Sequence, residues 1–286
     1  MTAMTVMTAT TVIDFHTHAF PDKLAPRAVA QLTINAAASG YVPLTDGTVN
    51  GLIASMDKAG ITRSVVCNIA TNAHQMSKVN DFAISCISNN RLIPLGSIHP
   101  DATAVEMDAE LSRLAAAGLA GIKIHPDYVH VEIDSPAFEP ILARCEARGM
   151  LVVTHAGFDP VEPTHMHCTP DMVLRVMERH PALKLVVAHT GGFDCEQEVL
   201  EKLCGTKVYL DTSLSAIRRA KNAAKGQLCA DILRAHDPSR ILFATDTPWS
   251  DPAEELDFVR NAGLSEEMVD RILHVNAENL LATCMQ

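Results

Sequence analysis

Residues 10–16 read TTVIDFH, a short apolar and β-branched run that ends at a histidine, and this pattern decides the fold. A strand that is buried on both faces of a parallel sheet is nearly continuous in apolar residues, whereas a half-exposed strand alternates. Seven later segments have the same character. The eight predicted strands are TTVIDFH (10–16), TRSVVCNI (62–69), RLIPLGSI (91–98), AGIKIH (120–125), MLVVTH (150–155), LKLVVAH (183–189), TKVYLD (206–211) and RILFATD (240–246).

Helical patterns fill most of the intervals between these strands. In residues 103–117, for example, Val105, Leu111 and Leu114 are expected on one apolar stripe. The predicted helices cover residues 48–59, 103–117, 135–149, 170–179, 193–203, 215–235, 252–261 and 265–274. Alternation of eight strands with helices predicts a (β/α)8 barrel, and 286 residues suit that fold. An open doubly wound sheet also alternates strands and helices and is the alternative.

The first interval between strands is longer than the others and contains residues 19–47. We interpret this segment as an inserted loop over the mouth of the barrel. No linker, repeat or low-complexity tract divides the sequence, so a single domain is predicted over residues 1–286. Residues 1–9 are expected to be a disordered lead-in.

The composition excludes several classes of protein. Asp and Glu total 34 against 23 Lys and Arg, and a net charge of −11 argues against nucleic acid or anionic membranes as partners. No apolar run approaches the ~18–20 residues of a membrane-crossing helix, and the N-terminus lacks the basic start and apolar run of a signal peptide. The eight cysteines form no CxxC pair, so free thiols and a cytoplasmic location are predicted.

Polar residues stand where the predicted strands end, which is the face of a barrel that carries functional groups. His16 and His18 are two residues apart on an extended strand, so their imidazoles point the same way. Together with His155 and Asp246 they form a nitrogen-rich set with one carboxylate, which suits Zn²⁺. The sequence therefore predicts a divalent-metal site, with hydrogen-bonded core histidines as the alternative.

The chain resembles the amidohydrolase superfamily, and within it the branch that contains aminocarboxymuconate-semialdehyde decarboxylase and related hydrolases and lactonases. The matching segments, in the family's order, are VIDFHTHAFP (12–21), GIKIHP (121–126), VVTHAG (152–157), LKLVVAHTGG (183–192) and ILFATDTPW (241–249). The resemblance implies that His16, His18, His155 and Asp246 hold one divalent metal, zinc by preference and manganese as the alternative. It also implies that His189 lies beside the metal, either to transfer protons or to anchor the substrate as an electrophile.

Lys123 and His125 share a face of the fourth predicted strand and bear on the number of metals. In phosphotriesterase-like members of the superfamily, a lysine of this strand is carbamylated and bridges two metals, and the histidine of strand six is a further ligand. In the decarboxylase-like branch the lysine is not a ligand and the metal is single. The motifs of this chain favour one metal. Lys123 is then expected to pair with Asp14 or Asp246, and His125 to contact substrate or close the following loop.

Other polar residues carry weaker predictions. Asp14 is expected to support the histidine ligands, since such ligands are commonly oriented by a second group, or to pack beneath them. His99 points into the pocket or caps its loop, and Trp249 forms a pocket wall or packs in the core. The HMHC segment at 165–168 resembles a metal cluster, although loop histidines more often contact substrate or solvent.

The predicted function is metal-dependent hydrolysis of a small-molecule amide, ester or lactone, with Asp246 as the group that shuttles the proton of the activated water. The alternative is nonoxidative decarboxylation at the same site, because both reactions use the same ligand set. The compact chain and the GIKIHP segment with Lys123 favour hydrolysis. The intact ligand set argues against a barrel without catalytic activity. A homodimer is expected from the family alone.

Overall fold

Eight parallel strands alternate with helices in the computed structural model, which describes residues 11–284. The strands are β1 (Ile13–Thr17), β2 (Arg63–Cys67), β3 (Leu92–Leu95), β4 (Gly121–Ile124), β5 (Leu151–Thr154), β6 (Lys184–Val187), β7 (Tyr209–Asp211) and β8 (Ile241–Leu242). They pair in sequence order as two runs, β1 to β3 and β4 to β8. The lead-in predicted over residues 1–9 lies outside the described residues.

Backbone hydrogen bonds at two seams join these runs into one barrel. At the seam between β3 and β4, the Gly96 N–H donates to Gly121 O over 3.1 Å and the Lys123 N–H donates to Gly96 O over 2.8 Å. At the other seam, the Phe15 N–H of β1 donates to Phe243 O, just after β8, over 2.8 Å. The predicted (β/α)8 barrel is therefore confirmed, and the open sheet is excluded because its edge strands would stay unpaired.

Helices form the outer layer of the barrel. They are α1 (Ala25–Asn35), α2 (Val49–Ala59), α3 (Ala73–Cys86), α4 (Ala104–Ala116), α5 (Pro126–Val129), α6 (Glu139–Ala147), α7 (Pro170–Arg179), α8 (Glu196–Lys202), α9 (Ser215–Lys221), α10 (Ala223–Ala235), α11 (Pro252–Arg260), α12 (Glu266–Asp270) and α13 (Asn276–Cys284). A π-helical turn over Arg271–Val275 connects the last two. The structure adds α1, α3, α5 and α13 to the predicted helices.

The apolar stripe predicted for α4 is wrong at one position. Val105 is 79% exposed, whereas Met107, Leu111 and Leu114 are buried. Thr103 begins the helix with a capping box, in which its hydroxyl accepts from the Glu106 N–H, and such a cap stabilises a helix by about 1 kcal/mol. Val105 lies two residues before Met107, almost on the opposite side of the helix, and therefore faces solvent.

Two predicted helices differ from the observed ones in their bounds. The helix predicted over 135–149 begins only at Glu139, because the preceding residues form a turn. The helix predicted over 215–235 is two helices, α9 and α10. Asn222 separates them with an extended backbone, and its side chain accepts the N–H groups of Ala224 and Lys225 at the start of α10. Asparagine is among the preferred residues at such an N-cap.

Apolar side chains fill the interior of the barrel at one end, and residues 19–47 lie over its mouth at the other end. Phe15 and Val153 are completely buried and belong to one cluster with Leu280 and Leu281 of α13, which thus closes one end. Burial of a phenylalanine side chain contributes about 1.5–3 kcal/mol. At the other end, residues 19–47 contribute side chains of α1 and its flanking turns to the wall of a cavity, as expected of a segment over the mouth.

Two further predictions concern cysteines and membranes. All eight cysteines are free, which confirms the prediction of free thiols. Among the helices found in residues 11–284, none has the length and apolar character that would let it traverse a bilayer.

Candidate metal centre and active site

Three predicted ligands converge at the carboxyl ends of β1 and β8. The Nε2 atoms of His16 and His18 lie 3.5 and 3.0 Å from Asp246 Oδ1. Two imidazole nitrogens and one carboxylate oxygen at such separations can bind one ion together, and three protein ligands with an open position are typical of catalytic zinc sites. The chemistry and placement of these donors therefore fit a divalent metal.

The second nitrogen of each imidazole is held by another group. Asp211 Oδ2 lies 2.8 Å from His16 Nδ1, and the carbonyl oxygen of Cys67 lies 2.9 Å from His18 Nδ1. A proton on each Nδ1 leaves the Nε2 lone pair directed at the site, which is the usual way of orienting a metal-binding histidine. The sequence placed Asp211 at the end of a strand but gave no indication of this partnership.

We expect Asp211→Asn to weaken metal binding by ~10–100-fold, because mutation of a group that orients a histidine ligand usually has this effect. The amide would lose the negative charge that stabilises the Nδ1 proton of His16. Titration of metal-free protein with zinc measures the dissociation constant. Asp237→Asn changes a carboxylate at the start of a 3-10 turn and is the matched control. An unchanged zinc affinity in Asp211→Asn would contradict the orienting role.

Charge in the site favours a cation. Burial lowers the pKa of His16, and the neighbouring Lys123 lowers it further, so its imidazole is neutral. Burial alone would raise the pKa of Asp246, but His16, His18 and Lys123 outweigh that effect and hold it below its ordinary value. The same balance, dominated by His16, lowers the pKa of Asp211. The lowered pKa values of His16, Asp211 and Asp246 favour a neutral imidazole beside ionised carboxylates, which are the protonation states that metal binding requires.

Lys123 points into the site from β4. Its Nζ lies 3.1 Å from His16 Nε2, and no carboxylate oxygen of residues 11–284 lies within 4.0 Å of it, so the expected pairing with Asp14 or Asp246 is not formed. Burial lowers the pKa of Lys123. Asp14 instead accepts the N–H and hydroxyl of Thr245 over 3.0 and 2.6 Å, and so fixes β1 against the segment that follows β8.

His155 lies beside the three converging ligands rather than among them. Its Nδ1 is 3.0 Å from His189 Nε2, and the His189 ring stacks on His16 at 5.3 Å. The Ser213 hydroxyl donates to Asp211 over 2.5 Å, so its oxygen accepts from His189 Nδ1 over 2.8 Å. His189 Nε2 is then the acceptor in its contact with His155. This pattern favours His189 as a proton acceptor over a role as an electrophile.

His125 forms part of a second histidine cluster with His155. The His125 ring is nearly parallel to those of Tyr128 and His155, with centroids 3.6 and 4.2 Å away. Ligand atoms of His125, His155 and Asp159 also lie close together. Two nearly parallel imidazole rings are poorly arranged to bind one ion together, so the stacking argues against this group as a second metal site.

Several turns around the site have left-handed backbone. His189, Thr190, Leu214 and Asp246 have φ values of 60°, 59°, 61° and 66°. Each such residue other than glycine costs of order 1–3 kcal/mol, and strain of this kind is concentrated at functional sites. The turns at the ends of β6, β7 and β8 are thus held by contacts with their surroundings.

A cavity of about 720 Å³ opens above the ligands. Its floor contains the metal-site histidines, Lys123 and Asp246, and Asp159 lies in its wall. The rest of the lining is mainly apolar and aromatic, with Phe20, Leu24, Leu32, Tyr41, Val79, Phe82, Phe158, Phe193, Leu214 and Trp249. Of the two alternatives for Trp249, the structure thus supports the pocket wall.

His99 and the two histidines of the HMHC segment lie outside the lining of this cavity. His99 Nδ1 accepts the N–H of Asp101 over 3.1 Å, so it caps its own loop. In the HMHC segment, His165 contacts Glu132 and His167 contacts Asp127. Within residues 11–284, neither His165 nor His167 belongs to a group with metal-binding geometry.

The chain is similar to known proteins in both sequence and structure. A sequence model described as Amidohydrolase matches residues 13–283. No curated protein matches the chain. The structure is similar to 5-carboxyvanillate decarboxylase from Sphingomonas paucimobilis (16% identity, 96% and 99% of the two chains, TM-score 0.67). It is also similar to a dihydroxybenzoic acid decarboxylase from a Polaromonas species, whose structure contains manganese and 2-nitroresorcinol. The identity is 16%, the match covers 95% of this chain and 97% of the other, and the TM-score is 0.67. A candidate 2-pyrone-4,6-dicarboxylic acid hydrolase from Pseudomonas putida has 17% identity over 97% and 99%, with a TM-score of 0.64.

Proposed function

We propose that this chain, which belongs to the amidohydrolase family, is a metal-dependent hydrolase of a small-molecule amide, ester or lactone. The observation that carries this proposal is the convergence of His16 Nε2, His18 Nε2 and Asp246 Oδ1 on the floor of a large cavity. We propose His155, which lies beside these three groups and contacts His189, as the fourth ligand. Zinc suits this donor set best, with manganese as the alternative.

Asp246, His189 and Lys123 have separate roles in the proposed hydrolysis. A bound divalent metal supplies Lewis acidity, which polarises a carbonyl and makes water reactive at neutral pH. Asp246, whose low pKa keeps it ionised, accepts the proton of the attacking water and returns it to the leaving group. His189 Nε2 is an acceptor at the same floor and can hold the attacking water in line. Lys123 can compensate negative charge that develops on the substrate.

The cavity constrains the body of the substrate. A volume of about 720 Å³ falls within the range of small-molecule sites, and its mainly apolar and aromatic wall favours a flat or branched apolar body. Hydrogen-bonding groups of the substrate are expected at the floor, where the polar side chains lie. We therefore propose an aromatic or aliphatic lactone, ester or amide with its reactive carbonyl directed at His16, His18 and Asp246.

Nonoxidative decarboxylation is the second candidate, and the position of the Lys123 side chain favours it, although the sequence segment around Lys123 favours hydrolysis. Its Nζ is buried among the proposed ligands, 3.1 Å from His16 Nε2, where it can pair with a substrate carboxylate. Two structurally similar proteins are decarboxylases of hydroxylated aromatic acids, which adds to the case. A panel of lactones, aryl esters and hydroxybenzoates distinguishes the two reactions. Incorporation of ¹⁸O from water into an acid product supports hydrolysis, and release of CO₂ supports decarboxylation.

We expect protein purified without chelator to contain about one divalent metal ion per chain, bound where His16, His18 and Asp246 converge, because the rings of His125 and His155 in the neighbouring group are stacked. Elemental analysis measures the content, and removal of the metal with a chelator should abolish turnover until zinc or manganese is restored. About two ions per chain would assign a second site to Lys123 or His125. Full activity without metal would contradict the proposed function.

We also propose a cytoplasmic location and a small-molecule substrate, with neither nucleic acid nor membrane as a partner. The homodimer stays a prediction, which the mass of the protein in solution would test.

A further inference from the structure

Four consecutive residues after β6 have positive φ: His189 (60°), Thr190 (59°), Gly191 (89°) and Gly192 (149°). Glycine adopts this conformation readily, but a β-branched residue such as threonine rarely does. The turn therefore depends on contacts that outweigh the preference of Thr190 for another conformation. His189 occupies the first position of this turn, so whatever holds Thr190 also sets the direction of the His189 side chain.

Arg218 of α9 makes the contacts that hold this turn. It is 2% exposed, and its Nη2 donates to Thr190 Oγ1 over 2.7 Å. Its Nη1 donates to Glu196 Oε1 over 3.0 Å, and its guanidinium lies 5.1 Å from the centre of the Phe193 ring. All three partners lie after His189 and no further along the chain than Glu196, the first residue of α8.

The same guanidinium also holds the turn after β7. Its Nε donates to Leu214 O over 3.3 Å and its Nη2 to Ser213 O over 3.4 Å, and Leu214 is itself in the left-handed region. Ser213 Oγ in turn accepts from His189 Nδ1. One buried side chain thus joins the two strained turns that hold the backbone and the ring of His189.

We propose that Arg218 is a positioning residue that keeps His189 Nε2 directed at the metal site, an inference that rests on the proposed function of His189. Arg218 is separated from the reacting atoms by Thr190 and Ser213, so it acts through them rather than on the substrate. The planar fork of five donors serves both turns at once. A lysine ammonium carries its donors on a single atom and cannot span them.

The test uses Arg218→Met, Arg218→Lys and Thr190→Val in the metal-loaded enzyme. We expect each variant to lower kcat by ~10-fold or more while KM changes less than threefold and metal content stays at the wild-type value. Arg218→Lys should not restore kcat. Arg219→Met is the matched control, because Arg219 also pairs with a carboxylate, Asp257, and lies over an aromatic ring, but outside the site.

A second readout is independent of turnover. The proton on His189 Nδ1 that is hydrogen-bonded to Ser213 should give a low-field NMR signal, which His189→Gln identifies by its loss. We expect this signal to disappear in Thr190→Val and to remain in Arg219→Met. Folded variants that keep both the signal and kcat would overturn the proposal. If Arg218→Met does not fold, Thr190→Val decides together with Ser215→Ala, because Thr190→Val removes the Oγ1 contacts with both Arg218 and Ser215 and Ser215→Ala removes only the second. A lost signal with unchanged kcat would leave the positioning intact and contradict the catalytic role of His189.

Discussion

Asp246→Asn is expected to lower kcat by ~10²–10⁴-fold, the usual contribution of a positioned general base. The amide nitrogen cannot accept the proton of the attacking water, and the lost charge removes the partner that faces His16 Nε2 and His18 Nε2. The backbone should tolerate the change, because asparagine, like aspartate, is enriched among residues with the φ of 66° found here. Steady-state kinetics at saturating metal measures the effect.

Metal content must be measured on the same sample, since loss of the ion alone would also stop turnover. We expect Asp246→Asn to retain much of its metal through the histidine ligands. Asp251→Asn changes a carboxylate that caps α11 and should leave kcat unaltered, because asparagine is an equally good cap. Near-normal turnover in Asp246→Asn with bound metal would rule out the acid–base role.

The barrel could be predicted from the sequence because its strands are buried on both faces. Nearly continuous apolar runs identified all eight strands, and only their ends differ from the observed bounds. The helices were harder to predict, because local contacts fix their bounds. The prediction for Val105 is wrong because Met107, Leu111 and Leu114 form the buried face of α4. Packing against the barrel decides which face of the helix is buried. The break at Asn222 depends on a side-chain cap that an apolar pattern does not reveal.

The ligand set could be predicted in part, because the geometry of a strand fixes which of its side chains point the same way. His16 and His18 lie two residues apart on one strand, so their common direction follows from strand geometry alone. Asp246 joins them only because the segment after β8 pairs with β1, where the Asp246 N–H donates to His16 O over 2.8 Å. That contact links residues more than two hundred positions apart, and Asp246 could be predicted as a ligand only because it stands at the end of a predicted barrel strand.

The groups that orient the ligands could not be predicted. Asp211 and Ser213 are ordinary residues after a strand until the barrel brings them to His16 and His189. Arg218 lies in the basic stretch IRRAK (217–221), which in isolation indicates a solvated helix face, yet it is buried and its neighbour Arg219 is not. Which of two adjacent arginines enters the core is decided by tertiary packing.

His16→Ala is expected to reduce bound metal from about one ion per chain to nearly none, and turnover to background. His16 supplies a nitrogen to the site and faces both Asp246 and Lys123, so its loss removes a ligand and leaves the charges of Lys123 and Asp211 without their imidazole partner. Each buried polar group that loses its partner costs about 1–3 kcal/mol, so Tm should fall although the barrel persists. Elemental analysis and far-ultraviolet circular dichroism measure the two effects.

The matched control is His99→Ala. His99 is also a buried histidine after a barrel strand, but its Nδ1 accepts a loop N–H and it lies outside the cavity lining. Its loss should lower Tm without changing metal content, which separates removal of a ligand from removal of a buried imidazole. His16→Gln provides a milder variant in which the side-chain amide can still contact Asp211. Full metal occupancy in a folded His16→Ala protein would be incompatible with His16 as a ligand, because the three proposed ligands left, His18, Asp246 and His155, would then hold the ion equally well without it.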